Sequence, residues 1–316
     1  MTALHWARVG ESTFVGGLWF LYGVHRLLGR LPFLLCLYPV VLYYWAARPA
    51  ARQASLQYLQ RMHARHGGGE APGWRHSLRH FLSFADTLLD KMLASSGRYR
   101  FDRLRQVGRE PLLEMIRRGQ GGIIATAHVG CLELCQASAD RQPGFRLNVL
   151  VHTAHAERFN RVLRRLHPDS GVRLLQVTQV DAATAVMLAE RVARGEFVAI
   201  AGDRIPVTAT AATTTRAPFL GHDAPLPIGP YVLAALLKCP LYMMVCLREA
   251  GGHVMHFEPL AERVELPRGR RPQALAAHAA QFAQRLEQRL AAAPYDWFNF
   301  FPFWDQPLAA ADHDRH

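Results

Sequence analysis

Beyond residue 110, short apolar runs alternate with segments of helical period, and that alternation narrows the possible folds more than any other property of the chain. Strands are expected at 121–127 (GGIIATA), 146–152, 172–177, 197–203, 241–248 and 253–260. Helices are expected between and after them at 131–139, 156–166, 181–195, 230–238 and 271–293. Strands spaced by helices bury their apolar faces only as a layered α/β domain, a mixed central sheet flanked by helices. Upstream, HSLRHFLSFADTLLDKML (76–93) has apolar residues at helical spacing and reads as an amphipathic helix.

The N-terminal part has a different character. From Leu31 to Ala47 the chain is uncharged, LPFLLCLYPVVLYYWAA, bounded by Arg30 and Arg48. That length lies at the short end of the roughly 17–25 residues that cross a bilayer. A spanning helix, a bent or re-entrant anchor extended by the apolar patch 14–23, and a buried core helix all fit the pattern. Pro39 is expected to kink it. No small-residue cleavage site follows, so it does not have the form of a cleavable signal peptide. The simplest division is an N-terminal hydrophobic anchor helix with its amphipathic continuation, 1–65, followed by one catalytic domain, 66–316.

The formal net charge is +12 and the basic residues are nearly all arginine, Lys91 and Lys238 being the only lysines. Guanidinium forks suit phosphate and carboxylate, which implies an anionic partner: nucleic acid, an anionic membrane surface or an acidic carrier protein. Arg26 and Arg30 before the apolar run, and Arg52, Arg61 and Arg65 after it, would suit an anionic cytoplasmic leaflet. Nucleic acid is disfavoured, because the basic residues are spread out and no helix-turn-helix, RNP-like or zinc pattern is present. Five scattered cysteines argue against a disulfide framework and fit a reducing compartment. His128, Cys131 and Cys135 lack the further ligand pair that a metal site needs, so no metal is expected.

His128 falls where the strand 121–127 ends, and Glu133 follows five positions on, in the first turn of the next helix. Catalytic groups in open α/β sheets gather at the carboxyl ends of strands. A histidine there can take a proton from a hydroxyl near neutral pH. Glu133 can accept from its other ring nitrogen and fix the tautomer. GDRIPV (202–207) also follows a strand, so Asp203 and Arg204 share the sheet end with His128 if the two strands run parallel. A Thr/Ala-rich loop, 208–217, comes next. Arg204 pairing with Asp203, and Arg158 as a solvated helix residue, are the bland alternatives. The aromatic block WFNFFPFW (297–304) reads as core packing or an interfacial belt rather than a substrate contact.

The blocks AHVGCLE (127–133), HTAHAERFN (152–160), AGDRIPV (201–207), FLGHDAPLPIGPYVLAALLKCP (219–240) and PYDWFNFFPFW (294–304) occur in the order found in one family. Through them the chain resembles the late acyltransferases of lipid A biosynthesis, lauroyl and myristoyl type, within the lysophospholipid acyltransferase superfamily. The resemblance implies a glycerolphosphate acyltransferase-like fold. It implies His128 as general base with Glu133 as its partner, and Arg204 with Asp203 as a block that contacts phosphate or the acyl carrier. Arg158 and Asn160 match a helix-start segment lining the same cleft. Cys131-Leu132 stands where many members carry Asn-Trp before the glutamate.

The resulting expectation is a bacterial inner-membrane enzyme with its catalytic domain facing the cytoplasm. It would move a fatty acyl chain from an acyl carrier protein or coenzyme A thioester to a hydroxyl of a lipid or glycolipid acceptor. No cofactor is expected, the acyl thioester being a co-substrate. The developing oxyanion would be held by backbone N–H groups or by Arg204. A non-catalytic membrane and lipid-binding adaptor is the rival from another class. A hydrolase is disfavoured by the lack of a G-x-S-x-G elbow.

Overall fold

A computed structural model describes residues 15–67, 69–151, 165, 172–176, 182–205 and 210–306. Four helices come first: α1 (Val15–Leu28), α2 (Arg30–Ala47), α3 (Pro49–His66) and α4 (Trp74–Ser95). The uncharged run is α2, with Pro39 inside it. Phe33, Leu37 and Val41, one stripe at four-residue spacing, pack on Ala85 and Leu89 of α4. The rest of the helix faces outward, with Leu31 and Leu35 about three-quarters exposed.

The segment read as the basic, amphipathic continuation of the anchor, 49–65, is the regular helix α3, and it turns inward. Its Tyr58, Leu59 and Met62 join the largest core cluster. Tyr58 donates its hydroxyl to the Pro294 carbonyl (2.8 Å) and meets the Trp297 ring edge-on at 4.9 Å. Arg61 lies over the Trp304 ring and Arg65 pairs with Glu287. These two arginines therefore have an aromatic and a carboxylate partner within the fold.

The sheet has seven strands: β1 (Leu104–Val107), β2 (Gly122–Thr126), β3 (Leu147–Val151), β4 (Arg173–Gln176), β5 (Phe197–Ala201), then β8 (Leu241–Glu249) and β9 (Gly252–Ala261). Their order is β1-β9-β8-β2-β5-β3-β4. The five strands from β8 to β4 run parallel, β9 is antiparallel to β8, and β1 is parallel to β9. The mixed α/β sheet expected from the alternation is present. Its central strands β2, β5 and β8 read as unbroken apolar runs because both faces are covered. Along β8, Met243, Val245 and Leu247 enter one core cluster while Tyr242, Met244 and Cys246 enter the other. On β2, Ile123 and Ile124 are divided in the same way and are both fully buried, worth roughly 1.5–3 kcal/mol each.

The first face is covered by α3, α8 (Gly229–Leu237) and α9 (Arg271–Leu290), the second by α5 (Glu110–Arg117) and α6 (Leu132–Asp140). Helix α7 (Ala182–Ala193) leads into β5. A separate antiparallel hairpin, β6 (Thr214–Phe219) and β7 (His222–Pro227), lies on α9. Part of the segment read as a loop, 208–217, is thus the start of a strand. β1, α5 and this hairpin carry too short or too proline-rich a pattern to stand out. The helix expected at 156–166, including Arg158 and Asn160, lies outside the described residues except for position 165.

Candidate active site

The site is built at the carboxyl ends of β2 and β5, which pair in parallel with Thr126 opposite Ala201. Two residues past each end stand His128 and Asp203, so the register alone brings them side by side. Gly202 tightens the second turn, its N–H donating to the Thr126 carbonyl (2.8 Å). His128 Nδ1–H donates to Asp203 Oδ1 (2.8 Å), and the His128 backbone N–H donates to Oδ2 (2.9 Å). A third donor comes from far along the chain: Trp297 Nε1–H reaches the same Oδ2 at 3.0 Å.

Asp203 is 1% exposed, and such burial alone would raise its pKa. The His128 charge and hydrogen bonds, with Arg204 behind them, overcome it and pull the carboxyl down to about 2. An ionised carboxylate only accepts, so Nδ1 must carry the proton and Nε2 presents its lone pair. Nε2 has no hydrogen-bond partner among the described residues. The His128 side chain keeps 41% exposure, so an acceptor can reach it. The protein packed around the ring holds its pKa below the ordinary value, helped by the Arg204 and Lys91 charges and opposed by Asp203. Solvent softens that shift but not its direction, and the imidazole is neutral at pH 7.

The turn that carries His128 is fixed from the opposite side by the aromatic block. Val129 bridges Trp297, Phe298 N–H donates to the His128 carbonyl, and Gly130 N–H donates to the Asp296 carbonyl. Gly130 has φ +45°, and a Cβ there would lie 1.9 Å from the Cys246 carbonyl oxygen, so only glycine fits. The block 297–304 is core packing, with Trp297, Phe303 and Trp304 all buried. Trp297 also acts on the site by pinning Asp203.

Glu133, assigned to the imidazole by the H-x4-E spacing, does not take that place. Its Oε1 accepts from the Lys91 ammonium at 2.9 Å. The first turn of α6 points this carboxylate at α4, whereas the strand register puts Asp203 on the ring. Burial alone would lower the Lys91 pKa, but the Glu133 charge raises it above its ordinary value, so the pair is ionic. Arg204 donates to the Phe298 carbonyl (3.0 Å), and its guanidinium lies 5.4 Å from the centre of the Phe301 ring. Burial pushes the Cys131 thiol well up, with Glu133 adding to the effect, so Cys131 offers no thiolate near neutral pH.

Sequence reasoning placed Asp203 at this sheet end but in a binding role, and it missed Lys91 and Trp297 as site residues. The signal for Asp203 was present, since it and His128 each follow an apolar strand at a matching offset. No local pattern marks Lys91, and Trp297 falls inside the block 294–304, whose aromatic part reads as packing or an interfacial belt.

The backbone amides of the turn are already engaged: Val129 N–H with Ala127, Gly130 with Asp296 and Cys131 with Cys246 carbonyls, beside the His128 bond to Asp203. Of the two oxyanion partners considered, backbone N–H and Arg204, these four amides are therefore spent. The arrangement suits proton abstraction from a hydroxyl by an oriented neutral imidazole beside a guanidinium.

Comparison with curated proteins returns no match. The model of the bacterial lipid A biosynthesis acyltransferase family matches residues 84–306, from the middle of α4 through the sheet and the site to the end of the aromatic block. The matched span takes in His128, Glu133, Asp203, Arg204 and Trp297, and on it this chain belongs to the bacterial lipid A biosynthesis acyltransferase family, as an acyltransferase.

Proposed function

We propose that this acyltransferase moves a fatty acyl chain from a carrier thioester to a hydroxyl of a lipid A-type acceptor, with His128 as general base oriented by Asp203. The carrier is the phosphopantetheine arm of acyl carrier protein or of coenzyme A. The observation that supports this most is the His128 ring, its Nδ1–H bonded to a buried carboxylate and its Nε2 open. In the reaction Nε2 takes the acceptor's hydroxyl proton as the oxygen attacks the thioester carbonyl carbon. The tetrahedral intermediate collapses by breaking the C–S bond, and the imidazolium returns its proton to the departing sulfur. Arg204, placed beside Asp203, is suited to the oxyanion or to a phosphate of either substrate. The excess of arginine would help to steer an acidic carrier protein.

The enzyme is proposed to work at the cytoplasmic face of the bacterial inner membrane. Among the described residues, α2 is the one helix long and apolar enough to cross a membrane. Its length is about 27 Å at the usual rise. With Leu27 and Leu28 of α1, it exposes an apolar surface that water alone does not favour. Whether α2 spans the bilayer or lies along it, the lipid acceptor is presented to the same domain.

The test is acyl transfer from acyl carrier protein or coenzyme A thioesters to a lipid A precursor in mixed micelles. His128→Ala is expected to abolish transfer while the protein stays folded. Turnover near the wild-type rate in that variant would overturn the reading.

A further inference from the structure

Segment 98–118 carries seven arginines against three acidic residues, a denser positive run than the chain as a whole shows. All seven arginines are exposed. Arg100 pairs with Asp102, Arg105 with Glu249, and Arg117 and Arg118 share Glu114. Arg103 and Arg109 form no ion pair among the described residues. Beside them, on the second face of the sheet, lies a cavity of about 230 Å³. Met244 of β8, Met255 of β9, Leu104 and Leu112 line it, and its charged residues are Arg109 and Arg141.

The topology sets this cavity within reach of His128. β1 starts at Leu104, opposite His253, which stands opposite Arg248 of β8. Arg248 is two residues past Cys246, whose carbonyl receives the Cys131 N–H just after the His128 turn. β1 is the third strand from β2, roughly 15 Å across the sheet at the usual spacing. The bonds of a phosphopantetheine arm, from phosphorus to sulfur, extend over a similar distance, roughly 16 Å.

We propose that this arginine-rimmed cavity is the docking surface for the acyl carrier protein. An acidic amphipathic helix of the carrier lies against Arg103, Arg109 and Arg141, and one of its apolar side chains fills the cavity. The proposal rests on transfer from a carrier thioester. An apolar pocket bordered by cations fits such a helix, the anchor supplying affinity and the charges orientation and on-rate. Charge on an edge strand also prevents strand-to-strand aggregation. Arg105 on β1 meets that need, whereas Arg109 and Arg141 lie off the strand and border one cavity. An anionic leaflet would be drawn to the same charge, but a flat lipid surface does not use a cavity.

The experiment compares acyl carrier protein, coenzyme A and pantetheine thioesters of one fatty acid as donors to the full chain in mixed micelles. The variants are Arg103→Glu with Arg109→Glu, and Gln106→Trp, whose indole would close the cavity from the exposed edge. In both, KM for the carrier thioester is expected to rise about tenfold or more, with kcat/KM for the other two donors within a few-fold of wild type. The carrier KM should rise with salt in wild type and lose that dependence in the charge-reversed variant. If either variant does not fold, Arg109→Gln replaces it, with a rise in carrier KM of about threefold expected. A wild-type carrier KM in a folded variant would overturn the proposal. Equal losses on carrier and coenzyme A thioesters would also overturn it, assigning the arginines to the phosphate of the shared arm. Weaker binding to phosphatidylethanolamine–phosphatidylglycerol vesicles with an unchanged carrier KM would assign them to the leaflet instead. Wild-type enzyme that uses coenzyme A thioesters but not carrier thioesters discards the docking surface and leaves acyl transfer standing. No transfer from any of the three donors discards the reading beneath it.

Discussion

Asp203→Asn separates the role of the buried carboxylate from that of the H-x4-E glutamate. In the native site Asp203 receives three donors: the His128 ring N–H, the His128 backbone N–H and the Trp297 indole N–H. An amide supplies one oxygen and one NH2. If the oxygen keeps the two donors on the Oδ2 side, the NH2 faces Nδ1 and forces the proton to Nε2, where the base needs a lone pair. The comparable change in a serine protease triad costs about 10⁴ in kcat. Because acyl transfer here starts from an activated thioester, about 10²–10⁴ is the expected range, or roughly 3–5 kcal/mol of barrier. There is a stability cost as well. The carboxyl pKa is depressed from 3.8 to about 2. That depression stabilises the fold by about 2 kcal/mol above pH 4, and the gain is lost as pH falls from about 4 through 2. The Asn variant forfeits it and should melt several degrees lower. Single-turnover transfer from an acyl thioester, read beside a thermal melt, measures both. A folded Asp203→Asn enzyme within tenfold of the wild-type rate would refute the reasoning.

For the wild-type enzyme, the acid limb of kcat/KM should be centred below pH 6.5. The base must be neutral, and burial with the Arg204 charge holds its pKa under the ordinary 6.5; an acid limb centred above pH 7 in the measured profile would contradict that environment. Gly130→Ala should lose activity and at least about 2 kcal/mol of stability, because its Cβ would meet the Cys246 carbonyl and φ is positive. A melting temperature within about 2 °C of wild type would show that the turn can yield.

Much of this protein is legible one segment at a time. Strands buried on both faces must be apolar throughout, so β2, β5 and β8 announce themselves, and helices that cover them must be amphipathic. The run 31–47 reads as one long apolar helix because it is uncharged from end to end. His128 is identifiable because it follows such a strand, and Arg204 because it follows another. The ordered blocks from 127 to 304 point to the family that the matched span, 84–306, then establishes. Where the pattern is short or mixed, as in β1, α5 and the β6–β7 hairpin, period carries little information and the elements go unread. The inward turn of α3 is equally hidden, since an arginine over Trp304 looks in sequence like an arginine in water.

The identity of the carboxylate on the imidazole was decided only in three dimensions. Glu133 is five residues from His128 and Asp203 is 75 away, yet Asp203 holds the ring. Parallel pairing of β2 with β5 puts equal offsets side by side, and a buried ammonium on α4 draws Glu133 off in another direction. Periodicity reports how each segment meets the core. It is silent on register between strands and on which of two like charges a distant cation will claim, because those are settled by the energies of long-range contacts that form together.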